Sequence, residues 1–124
     1  MKLKPKSIRP FIGSKDYNLS REFYRDLGFD EFVITHNMSV FKTREFAFYL
    51  QDYYAKDWVD NTMVFLEVDN VQDHLGKLKK SGITETYATV RCSEIVCNDW
   101  GNEFFLHDPS GILWHFGEFN TEVK

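Results

Sequence analysis

The sequence predicts an α+β domain in which one order of elements, βαβββ, occurs twice. Three observations carry this expectation. Two stretches with helical spacing each follow a short strand pattern and stop at a glycine, and the offset that carries Gly28 onto Gly82 also carries Asp16 onto Asn70 and Arg9 onto Met63. After the first helical stretch come three short runs of strand character. The chain then closes on two aromatic-rich runs joined by Asp108-Pro109-Ser110-Gly111. In that joint Pro presets φ, Gly accepts a positive φ and Asp can bond its own backbone, which reads as a β-hairpin.

In chain order, Ser7 to Ser14 alternates loosely and reads as a first strand. Pro10 restricts it to an edge or a special site, because proline cannot donate to a ladder. From Tyr17 to Leu27 the positions Ser20, Phe23, Tyr24 and Leu27 recur at helical spacing, and Gly28 ends the helix as a C′ residue. Phe29 to Thr35, Met38 to Lys42 and Phe46 to Gln51 are three short strands. Asp52 to Asn61 is polar and aromatic without a period, and serves as the crossover. The pattern then restarts with a strand over Thr62 to Val68 and a helix marked by Val71, Leu75 and Leu78, ended by Ser81-Gly82-Ile83. Thr84 to Val90 reads as a strand, followed by an irregular segment with Cys92 and Cys97, and the final hairpin. The expectation is one domain over 1–124, with module one at 7–52 and module two at 61–118.

A chain of 124 residues with 43% hydrophobic and 27% charged residues can bury one core and not two. Its aromatic content is high, with 12 Phe, 6 Tyr and 3 Trp, which points to a dense core or a stacking pocket. The net charge of −4 excludes a nucleic-acid partner, since phosphate binding needs a basic face, and suits a neutral or cationic one. The basic start Met1–Lys6 is not followed by an apolar run of signal-peptide length, and no stretch approaches a membrane span. A cytoplasmic location is expected. Cys92 and Cys97 have no metal-like spacing and are expected to remain free thiols.

No nucleophile system stands out. There is no Gly-x-Ser-x-Gly, no phosphate loop and no local activator beside either cysteine. Asp57 and Asp60 read as solvated charge in a polar loop. His36, His74 and His107 read as surface or packing residues. His115 differs, because strand alternation sets Leu113, His115 and Gly117 on the face opposite Trp114 and Phe116. Two roles fit it, a hydrogen-bonded core histidine and a ligand contact. A binding protein therefore leads over an enzyme.

Residues spread along almost the whole chain give it a family likeness: Pro10 with Lys15-Asp16, Glu22-Phe23, Leu27-Gly28-Phe29, Asp60-Asn61-Thr62, Trp100-Gly101, Glu103-Phe104, and Asp108-Pro109 through Gly111 to His115-Phe116. In these the chain resembles the bleomycin-resistance proteins, the antibiotic-binding branch of the glyoxalase or vicinal oxygen chelate superfamily. The resemblance implies two βαβββ modules whose mixed sheets curl around a cavity, with the helices outside. It implies a homodimer in which Pro10 is the hinge for exchange of the N-terminal strand, with cavities at the dimer interface. The implied activity is capture, without alteration, of cationic glycopeptide antibiotics of the bleomycin class.

In that family a planar bithiazole tail stacks between aromatics. Trp100, in its Trp-Gly motif with Gly101, matches the stacking tryptophan; Phe32 and Phe65 match other aromatic positions, and Met38 stands where the family has a stacking aromatic. Gln51, Asp60 and Asn61 match polar positions at the rim. Parity puts Met63, Phe65 and Glu67 on the cavity side, and an Arg9 pointing inward would need an acid such as Glu67 beside it.

Metal-dependent members place His, Gln or Glu on the first and last strands of each module. Here those places hold Arg9, Met63, Tyr49 or a neighbour, and His115, so neither a metal nor another cofactor is expected. The reading is a metal-free binding protein. The alternatives are a binder of another aromatic small molecule, and an enzyme on the same fold, either a metal-dependent lyase or dioxygenase or a metal-free one using His115 as acid or base.

Overall fold

Residues 1–120 are described by the computed structural model. The first module comprises β1 (Phe11–Gly13), α1 (Tyr17–Leu27), β2 (Asp30–Thr35), β3 (Met38–Thr43) and β4 (Phe46–Gln51). A short helix α2 (Lys56–Asp60) crosses to the second, which comprises β5 (Met63–Glu67), α3 (Val71–Ser81), α4 (Ile83–Thr86), β6 (Arg91–Cys92), β7 (Val96–Cys97), β8 (Gly101–His107) and β9 (Leu113–Phe119). One sheet runs β1-β4-β3-β2; the other runs β5-β9-β8-β6, with β7 also paired to β8. Both sheets are mixed, because β1/β4 and β5/β9 are parallel while the remaining pairs are antiparallel. This is the α+β architecture of paired modules that the sequence predicts.

The two long helices are built alike. Asp16 caps α1 by accepting from the Leu19 N–H at 3.1 Å, and Asn70 caps α3 by accepting from the Asp73 N–H at 3.1 Å. Each ends at a left-handed glycine, Gly28 with φ 115° and Gly82 with φ 71°. The offset read from the sequence is therefore an equivalence of helix starts and stops.

Three local expectations are corrected. The first strand is Phe11–Gly13 rather than Ser7–Ser14. Pro10 has no N–H to extend the ladder, although its carbonyl accepts from the Tyr49 N–H at 2.9 Å. Thr84 to Val90 is not a strand: α4 occupies Ile83–Thr86, and the buried residues Ile83, Tyr87 and Val90 lie at helix-like spacing rather than on alternate positions. The crossover also contains α2, whose first turn closes on the Ala55 carbonyl and whose exposed face carries the Lys56–Asp60 pair at 2.6 Å.

One core serves both modules. Trp114 on β9, 2% exposed, lies 5.7 Å from the rings of Tyr24 and Phe29 and 5.4 Å from Phe48, so a second-module residue completes the first-module core. Phe104 stacks on Phe116 at 4.7 Å below the second sheet. Each such side chain contributes on the order of 2–3 kcal/mol of burial.

A buried polar chain runs through the same seam. The Trp114 indole N–H donates to the Tyr24 hydroxyl at 2.9 Å, and that hydroxyl donates to the Asp108 carboxylate at 2.6 Å. The other Asp108 oxygen accepts the N–H groups of Ser110, Gly111 and Ile112, which fixes the hairpin turn to α1. Burial pushes the Asp108 carboxyl up, outweighing the bonds from Tyr24 and the backbone that favour its charge. With the seam filled, the open faces of the sheets carry the exposed aromatics.

Candidate functional site

Strand alternation divides each sheet into a helix side and an open side. On the first sheet Ile12, Phe41, Phe48 and Leu50 point into the core. Register then places Phe32, Val40, Tyr49 and Phe11 in one row across the open face. Phe11 (57% exposed) stacks on Tyr49 at 4.8 Å, and Phe32 (55% exposed) stands at the other end of the row. The next row pairs Met38 with Gln51. Four predicted site residues, Phe32, Met38, Tyr49 and Gln51, thus share one face. The Arg9 guanidinium sits 5.9 Å above the Tyr49 ring, a cation–π contact; no ion pair to Glu67 forms among the described residues.

On the second sheet Trp114, Phe116, Phe104 and Leu106 face the core, while Met63, Phe65, Glu67, Leu113, His115 and Phe105 take the other side. Phe65 (44% exposed) is the centre of this face. Its ring lies 5.9 Å from Trp100 (37% exposed), 5.7 Å from Phe119 and 6.2 Å from His115, and Trp100 is itself 5.2 Å from Phe119. Gly117 makes room for it. A Cβ there would stand 2.3 Å from the Phe65 ring, so only glycine lets that ring lie against the strand.

Gly101 is a different case. It is buried, and a Cβ would stand 2.0 Å from the Glu118 carbonyl oxygen, so this glycine lets β8 start against β9 and holds Trp100 at the edge of the face. Asp60 is the last residue of α2 and Asn61 is its C-cap. Asp60 pairs with Lys56, and the Asn61 amide donates to the Asp57 carbonyl at 2.6 Å. Next to them in the chain, Val59 and Thr62 line a cleft of about 210 Å³ with Phe11, Gly13, Gln51, Tyr53 and Trp58.

The structure therefore brings Phe65, Trp100 and His115 together on one face and Phe32, Met38, Tyr49 and Gln51 together on another. It adds Phe11, Phe105 and Phe119, which sequence reasoning missed. Phe119 continues the parity of Leu113, His115 and Gly117, so alternation carried one step further finds the side it takes, whereas Phe11 is placed by its pairing with Tyr49 across β1 and β4. Glu103 was missed as a site residue because its partner is set by register: its carboxylate accepts from His115 Nδ1 at 2.9 Å across the β8/β9 pair. Among the described residues no three His, Cys, Asp or Glu side chains converge as a metal centre would need. No helix among the described residues is long and apolar enough to cross a membrane.

No family model matches the sequence, and no curated protein matches it. Solved structures do match. A bleomycin-binding protein from Streptomyces verticillus, complexed with copper(II)-bleomycin, has a TM-score of 0.77 at 18% identity over 93% of this chain and 97% of its own. An antibiotic binding protein from Streptomyces sp. CB03234 gives 0.75 at 16% identity over 96% and 100%, and a lactoylglutathione lyase from Agrobacterium tumefaciens gives 0.68 at 16% over 92% and 94%. The chain therefore has the glyoxalase/bleomycin-resistance fold. That fold hosts antibiotic binders and a lyase alike, so the site residues must decide between them.

Proposed function

We propose that this chain is a metal-free, homodimeric binding protein that sequesters bleomycin-type glycopeptide antibiotics in the cytoplasm and so confers resistance without altering the drug. The observation that carries the reading is the cluster of Phe65, Trp100 and Phe119, two exposed rings and a half-buried one with centroids within 6 Å of one another on an open sheet face. Exposed aromatics in such a group offer stacking area to a planar ligand, worth about 0.5–1.5 kcal/mol per ring pair beyond burial.

The second sheet face supplies acid at Glu67 and Glu103, and the chain carries a net charge of −4, which suits a cationic drug. In the proposed dimer, exchange of the N-terminal strand about Pro10 brings the first-sheet aromatics Phe32 and Tyr49, with Met38 and Gln51, opposite the Trp100 face of the partner. Asp60, Asn61 and Gly101 then complete the rim. A metal-dependent lyase is disfavoured by its donor set, since Arg9 and Met63 stand where ligands are needed.

Calorimetric titration with metal-free and copper-loaded bleomycin, with tryptophan fluorescence followed in parallel, tests the reading. Saturable binding of one drug per site with quenching supports it. Absence of heat and of quenching at high micromolar drug overturns it and leaves the fold assignment standing.

A further inference from the structure

On the open face of the second sheet, beside the stacking aromatics, three polar side chains form a chain of hydrogen bonds. The Asn98 amide donates to Glu103 Oε2 at 2.9 Å, and Glu103 Oε1 meets His115 Nδ1 at 2.9 Å. The Glu103 side chain is only 12% exposed and that of His115 22%, so the pair is shielded from bulk water. A carboxylate can only accept, which assigns the proton of a neutral imidazole to Nδ1. That leaves the Nε2 lone pair. Every buried side-chain nitrogen and oxygen in the described residues has a partner, and Nε2 has none, so Nε2 reaches solvent.

The position of that lone pair is specific. His115 lies between the Phe65 ring, parallel to it at 6.2 Å, and the edge of Phe105 at 5.1 Å. Beyond Phe105 and Leu113 opens a recess of about 330 Å³, also lined by Arg91, Ser93 and His107. A planar ligand stacked on Phe65 and Trp100 and reaching toward the recess passes over His115. We propose that Asn98, Glu103 and His115 form a relay that presents Nε2 as a fixed hydrogen-bond acceptor, selecting planar ligands that carry an N–H or O–H donor beside the ring. This deepens the stacking site and rests on it. Asn98 and Glu103 are positioning residues; His115 is the contact.

Indole and 1-methylindole are matched planar probes that differ in one N–H. NMR titration of the intact chain, following the His115 ring and the Trp100 indole N–H, is expected to show indole binding about fivefold more tightly near neutral pH, as one net hydrogen bond provides. The preference should vanish in His115→Phe. It should shrink in Asn98→Ala, with 1-methylindole affinity unchanged. Long-range proton–nitrogen spectra of the free protein should show the Nδ1–H tautomer of His115. Equal binding of both rings, or an Nε2–H tautomer, overturns the relay and leaves stacking intact. If neither ring binds at millimolar concentration, the stacking surface and the relay fall together.

Discussion

Trp100 and Tyr24 show how differently two aromatic side chains serve this protein. Trp100 is exposed and packs on Phe65 and Phe119, so its contribution belongs to binding. Trp100→Ala is expected to weaken bleomycin binding by about 2 kcal/mol, roughly 30-fold in Kd, measured by calorimetry, with little change in Tm. Unchanged affinity would remove the stacking argument. Tyr24 is fully buried, and its hydroxyl links Trp114 to Asp108. Tyr24→Phe leaves an indole N–H and a carboxylate oxygen without a partner in the core, a cost of about 2–4 kcal/mol and a Tm lowered by roughly 10 °C.

The same phenol also sets an alkaline limit. Burial, then the Asp108 charge, holds the Tyr24 hydroxyl well above its usual 10.0. A group raised in the folded state contributes stability that is complete below its unfolded value and lost as pH rises, so stability falls above about pH 10. Tyr87 acts in the same window, because burial and its bond to Asp26 raise it too. Denaturant melts of the wild type and Tyr24→Phe between pH 8 and 11 should therefore show a shallower alkaline decline in the variant.

At the scale of elements, α1 is held to its sheet by Glu31 on β2. One oxygen of this carboxylate accepts from Arg21 at 2.6 Å and from the buried Ser39 hydroxyl at 2.6 Å, and the other accepts from Arg25. Burial works to raise this carboxyl, but the bonds from Arg21, Ser39 and Arg25 together hold it below its ordinary 4.5. A depressed acid contributes stability present above its unfolded value and lost as pH falls through the folded one, so this clamp weakens as pH falls below 4.5. Glu31→Gln is expected to cost about 1–2 kcal/mol at neutral pH in urea melts and less at pH 3. An equal loss at both values would mean that packing, and not charge, holds α1.

At the scale of the whole molecule, two aromatic faces bear on assembly. The rows Phe11–Tyr49–Phe32 and Phe65–Trp100–Phe119, in which Tyr49 and Phe119 are half-buried and the other rings exposed, are large apolar surfaces for one chain to leave in water. The proposed dimer covers them, and light scattering should give twice the mass of 14.7 kDa. Pro10→Ala frees φ immediately before β1, and is expected to raise the monomer fraction by loosening strand exchange. A wild type that stays monomeric at binding concentrations would rule the exchange out. Salt tests the charge argument separately, since screening should weaken capture of a cationic drug modestly between 0.05 and about 0.5 M ionic strength.

The sequence alone determined the fold class, the two long helices and the closing hairpin, because helix caps, stop glycines and the Asp-Pro-x-Gly turn act over a few neighbouring residues. Asp16, Gly28, Asn70, Gly82 and Asp108 are all legible for that reason. Parity likewise set Trp114 and Phe116 against His115. It failed at Thr84–Val90, where a four-residue helix and a turn bury Ile83, Tyr87 and Val90 in a core that the local pattern does not reveal. Only the tertiary structure decided that Phe119 and Phe105 join Phe65 and His115, that Arg9 lies over Tyr49, and that Glu103 faces His115. These depend on strand register and on which strands are neighbours, and such pairings are made by contacts far apart in the chain.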